Sequence, residues 1–87
     1  MAPPGKRSKP NTGESMLRIS AAAKAAGVHA QTVEYYIMVG LVKPLRQPGK
    51  TGRYFSQRLV KRIRLIRDLN QTGYTLRAIR EIYMARR

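Results

Sequence analysis

The sequence predicts a mainly α-helical fold with one small β-hairpin: a winged helix-turn-helix followed by two more helices. Three observations predict it. "SAAAKAAGVHAQTVEYYIMVG" holds two short stretches of helical pattern separated only by "GVH", the spacing of two helices around a tight, glycine-bearing turn. "LVKPLRQPGKTGRYF" then breaks the helical pattern with two prolines and two glycines and places turn chemistry between two short extended pieces. Beyond it, apolar residues return at helical spacing in two further segments.

Each element can be justified in order. Residues 1 to 15, "MAPPGKRSKPNTGES", are rich in Pro, Gly and small polar residues and read as a disordered basic arm. Its Lys6, Arg7 and Lys9 either touch phosphates or are simply solvated. A single domain is expected over residues 16 to 87, since 87 residues leave no room for a second. Ser20 is expected to cap the alanine-rich first helix, which Gly27 ends. The second helix occupies "VHAQTVEYYIMVGL" and closes at Gly40. Between Leu41 and Phe55 a hairpin with a basic tip is expected. Ser56 caps a third helix with Leu59, Ile63 and Ile66 at helical spacing, ended by Gly73. Thr75 caps a fourth, with Leu76, Ile79 and Tyr83 on one face. The expected core is Ile19, Ala23, Val28, Val33, Leu41, Ile63, Ile66, Leu76 and Ile79.

Eighteen Lys and Arg against four Asp and Glu give a formal net charge of +14. A chain so charged is matched to a polyanion, and nucleic acid is the commonest one for a small protein. The chain has no cysteine, which removes disulfides and thiolate metal sites. No apolar run approaches the roughly 20 residues of a membrane span, and no secretory signal opens the chain, so a soluble, cytoplasmic, nucleoid-associated protein is expected. Catalysis is not expected: the one histidine, His29, precedes the second helix as a surface cap or phosphate neighbour, with no nucleophile or acid arranged around it. One histidine and four scattered acids make no metal shell. "GKTG" lacks the upstream glycine and strand-to-helix setting of a phosphate-binding loop. No cofactor and no small-molecule effector site are evident.

Double-stranded DNA fits better. The second helix would present Ala30, Gln31, Thr32 and Glu34 to base edges in a major groove, where Gln31 can bond adenine twice and the Ala30 methyl can meet a thymine methyl. Arg46, Lys50 and Arg53 on the hairpin, with Arg18 and Lys24 from the first helix, would fix the helix on phosphates. Neighbouring tyrosines on a helix point about 100° apart, so Tyr36 is the core candidate and Tyr35 the outward hydroxyl, suited to a phosphate oxygen. Two other readings stay open. The cations of the third helix fit an RNA-binding or ribosome-associated protein, and Leu65 with the last helix fits a protein-docking module.

The order of these landmarks resembles the DNA-binding domain of the MerR family of bacterial transcription regulators, over roughly residues 17 to 83. "GV" plus "TVEYY", "GLVKPLR", "RYFS" and "GYTLRAI" carry the resemblance, and "GVHAQT" is similar to the family's heat-shock repressor branch. It implies a winged helix-turn-helix that binds operator DNA as a homodimer and regulates transcription. Tyr35 matches a family phosphate contact, Arg46 the arginine after the hairpin proline, and Arg53 the wing arginine. This chain departs from the pattern at Glu34, where the family has arginine, at Ile37, where it has glutamate, and at Phe55, where a wing tyrosine loses its hydroxyl. Glu34 either accepts from cytosine or pairs with a cation such as Arg18. The sequence stops at Arg87, without the coiled-coil helix and effector domain of typical members. A short member, which could assemble on DNA as a homodimer or head-to-tail, a fragment, and an excisionase-like architectural factor all remain open.

Overall fold

The computed structural model describes residues 16–84, with side chains as far as Ile82. The expected arm at residues 1 to 15 lies outside the described residues, and so does the Tyr83 side chain. Four helices follow one another: α1 (Ile19–Ala26), α2 (Ala30–Met38), α3 (Gln57–Gln71) and α4 (Leu76–Met84). α1 packs against both α2 and α3, and α4 packs on α3.

Gly27 ends α1 because it adopts φ 78°, a left-handed conformation that costs glycine little. The Val28 N–H then donates to the Ala23 oxygen at 2.9 Å, so the chain turns sharply into α2. The cap at the other end of α1 differs from expectation. Arg18 holds the N-cap position, Ser20 lies inside the helix, and no side chain caps it. His29 likewise holds the N-cap position of α2 without making a side-chain cap bond. The two other expected caps form: Ser56 Oγ accepts from the Leu59 N–H at 3.2 Å, and Thr75 Oγ1 from the Ala78 N–H at 3.0 Å.

The core gathers Ala22, Ala23 and Ala26 from α1, Val33 and Tyr36 from α2, and Val60, Ile63 and Ile66 from α3. Leu41, Val42, Phe55 and Ile79 complete it. Small alanines let α1 approach its neighbours closely, which explains why three of them are buried in so short a helix. Ile19, Val28 and Leu76, expected inside, pack on the core's margin, and Leu59 does the same while Val60 takes the buried place beside it.

The expected β-hairpin does not form, and with it the winged form of the fold is not supported. Among the described residues there is no sheet. Leu45 and Tyr54 instead exchange one pair of backbone hydrogen bonds, both 2.9 Å, and Leu17 and Phe55 another, at 2.9 and 2.7 Å. The physical reason lies between them. The Gln47 oxygen, which the next rung of a ladder would direct at Gly52, instead accepts from the Lys50 N–H at 3.0 Å in a turn over Pro48 and Gly49, and Gly49 and Gly52 sit at positive φ, so the pairing stops at one residue on each side. Residues 46 to 53 are therefore a loop closed by an isolated bridge. Phe55 is 0% exposed and anchors the loop's exit in the core.

Candidate nucleic-acid interface

α2 divides cleanly by helical period. Val33 and Tyr36 are buried, and Ala30 and Ile37 pack on the core, while Gln31, Glu34, Tyr35 and Met38 are exposed. The exposed set falls at i, i+3, i+4 and i+7, one continuous stripe on the outer face. The tyrosine pair splits as its spacing predicts, with Tyr36 4% exposed and Tyr35 49%. Burial pushes the Tyr36 phenol above its ordinary pKa. Met38, 73% exposed at the end of this stripe, is a member the sequence reading missed. The signal was present, since the stripe simply extends one more turn. Ile37 serves the margin of the core, which an acid there could not do.

The bridged loop lies against this stripe. The Arg53 guanidinium donates to both oxygens of Glu34, from Nη1 at 3.1 Å and from Nη2 at 2.8 Å, a bidentate pair that is exposed on both sides. The Arg53 hydrogen bond holds the Glu34 carboxyl below its ordinary pKa, and the same contact raises that of Arg53. Glu34 thus pairs with Arg53 and not with Arg18. Arg18 stacks over the Tyr54 ring, 4.6 Å from its centroid, next to Gly52. Arg46 and Lys50 are exposed on the loop, as is Lys24 on α1. Three elements are consequently tied together at one surface: α2 through Glu34 and Arg53, and the start of α1 through Arg18 and Tyr54.

A second set of cations was not anticipated there. Tyr35, Val39, Leu76, Arg77 and Arg80 line an open cleft between α2 and α4. Arg77 stands 3.7 Å from Glu81 in a highly exposed pair that leaves its charge accessible. Thr32 is half-buried beside the outer stripe, and Ala30 is turned partly inward.

The arginines of α3 do something else. Arg62 Nε donates to the Leu41 oxygen at 2.8 Å, and Arg64 Nη2 to the Ala25 oxygen at 2.8 Å. Arg67 reaches the Ala26 and Gly27 oxygens at 3.4 and 3.5 Å and is held by Asp68 at 2.7 Å. Cations placed on the last carbonyls of α1 satisfy acceptors that the helix leaves free and oppose the negative end of its dipole. The charge of α3 is thus partly used inside the fold.

Among the described residues, no group of His, Asp and Glu could hold a metal ion, and no helix is long and apolar enough to cross a membrane. Residues 17–85 match the family model of the MerR HTH family regulatory protein. The chain is 40% identical over 65 residues to the protein named heat shock protein HspR of Streptomyces coelicolor, covering 74% of this chain and 42% of that one. It is 34% identical over 62 residues to a mercuric resistance operon regulatory protein of Bacillus cereus, covering 71% and 47%. A protein of the same description from Serratia marcescens is 32% identical over 66 residues, covering 76% and 46%. The chain therefore spans less than half the length of these relatives, and the match falls on the helices and bridged loop that build the surface described above. On this ground the chain belongs to the MerR HTH family of regulatory proteins.

Proposed function

We propose that this chain is a sequence-specific double-stranded DNA-binding transcriptional regulator that sets the outer face of α2 in a major groove and the bridged loop beside it on the backbone. One observation carries the reading: the Glu34–Arg53 contact brings the cationic loop alongside the exposed stripe of α2. Base reading and backbone anchoring need that adjacency, because the groove and its flanking phosphates lie side by side. Gln31 and Glu34, with Ala30 and Thr32 near the helix start, read base edges in this account. Tyr35, Arg18, Arg46, Lys50 and Arg53 take phosphates, joined by Arg77 and Arg80 across the cleft from Tyr35. The likeness to named regulators supports the role in transcription.

The RNA-binding alternative loses ground because Arg62, Arg64 and Arg67 are engaged with backbone carbonyls of the fold. Leu65, Tyr74 and Ile82 are large apolar residues left exposed, which favours self-association on DNA as an accompanying property. Selection from random duplexes, followed by footprinting and mass in solution on the selected site, tests the whole reading. Two half-sites mean a dimer, and tandem direct repeats mean head-to-tail assembly. Binding to the selected site no tighter than to random duplex at moderate salt would end the proposal.

A further inference from the structure

A carboxylate on the groove-facing side of a DNA-binding helix is an electrostatic liability, because phosphates on both sides repel it. Glu34 is the only acid on α2 or on the loop from Leu41 to Phe55. It is exposed, so burial does not account for it, and Arg53 takes one acceptor site on each oxygen. A carboxylate offers about four such sites, so about two are left for another donor. Arg53 in turn uses two of its five N–H groups and keeps the rest for a phosphate. The pair therefore brings a neutralised, oriented acceptor to the same stripe that carries Gln31. Three residues of helix rise about 4.5 Å, close to the roughly 3.4 Å between stacked bases, so Gln31 and Glu34 reach neighbouring base pairs.

We propose that Glu34 is a specificity-determining residue that accepts a hydrogen bond from the amino group of a cytosine in the major groove, with Arg53 as the positioning residue that orients and neutralises it. This rests on the DNA-binding reading above and names what the least expected residue of that surface recognises. Among the four bases, cytosine and adenine offer an amino donor in the major groove. Adenine presents its amino group beside an acceptor, which a carboxylate repels and the Gln31 amide fits, so the two side chains divide the two amino bases between them. Arg53 keeps its charge toward the backbone and so links the base contact to a phosphate.

Selection from random duplexes with the full chain, Glu34→Gln and Arg53→Lys tests it, each variant first checked for unchanged helix content. The wild type is expected to enrich cytosine at one position per site, next to an adenine, with a preference on the order of tenfold. Glu34→Gln should keep the rest of the site and lose that cytosine preference, because an amide no longer presents an acceptor-only face. Arg53→Lys keeps the charge, so its salt slope should match wild type while the cytosine preference weakens, since a lysine cannot hold both oxygens. An unchanged cytosine preference in Glu34→Gln overturns the proposal. So does a uniform gain of affinity on every duplex with the same selected site, which would make the pair a counter-ion only. If the wild type selects no sequence at all, the DNA-binding reading itself falls and this one with it.

Discussion

Replacing Phe55 with alanine tests whether the bridged loop is built from the core outward. Phe55 is fully buried, and its backbone exchanges hydrogen bonds of 2.9 and 2.7 Å with Leu17 that alanine would retain. The loss is therefore the ring alone, and such truncations cost about 3–5 kcal/mol. A domain of about 70 ordered residues has roughly 3.5–10 kcal/mol of stability in total, so this one change removes a third of it or more. At roughly 4–8 °C per kcal/mol for a domain this small, the melting temperature should fall by at least about 12 °C. Thermal unfolding followed by far-ultraviolet circular dichroism reads this directly. Phe55→Leu, which keeps most of the volume, should cost less than about 1.5 kcal/mol and serves as the comparison. A Phe55→Ala variant that melts within about 5 °C of wild type would refute the claim that the loop's exit is anchored by this side chain.

Three further outcomes follow from the same geometry. Gly27→Ala should destabilise the fold by about 1–2 kcal/mol in denaturant titration, because φ is 78° and a Cβ would stand 2.7 Å from Arg67 Nη1. The Glu34 carboxyl, followed by NMR, should titrate below its ordinary 4.5 and move back up in Arg53→Ala. Because the folded-state pKa is lowered, whatever stability the pair contributes is present above the unfolded value and is lost as pH falls through the folded one. Glu34→Arg should tighten binding to random duplexes, since it removes a repelled charge, adds an attracted one and frees Arg53, while the preference for the selected cytosine-bearing site over random duplex shrinks. The log–log salt slope on random duplex should steepen by about 0.9 for each phosphate gained, and unchanged or weaker affinity for random duplex would show that the Glu34 carboxylate does not face the backbone phosphates.

Helix order and helix caps were legible where local chemistry decides them. Ser56, Thr75 and Gly27 act within a few residues of themselves, and each does what its type predicts. Ser20 failed as a cap because the helix starts two residues earlier than that cap requires, at Ile19, just past the Leu17–Phe55 bridge. That contact is separated by many residues in sequence and leaves no local trace. The hairpin failed for a different reason: turn signals were real, but the turn over Pro48 and Gly49 takes the Gln47 oxygen and leaves the ladder at one pair. Tyr35 and Tyr36 separated correctly because helical period alone fixes them. The partner of Glu34 was open between a base and a cation, and only the folded loop selects Arg53. Likewise, nothing in the charge of α3 told apart solvated arginines from those bonded to the carbonyls of α1 and to Leu41.

The central claim is that the α2 stripe and the bridged loop form one DNA-binding surface. Titration of a selected duplex, read by fluorescence anisotropy, with wild type and with the double variant Arg46→Glu/Arg53→Glu tests it most directly. Neither arginine belongs to the core, so helix content should be unchanged, and the account predicts loss of binding in the variant. Equal affinity of a folded double variant for the same duplex would contradict it.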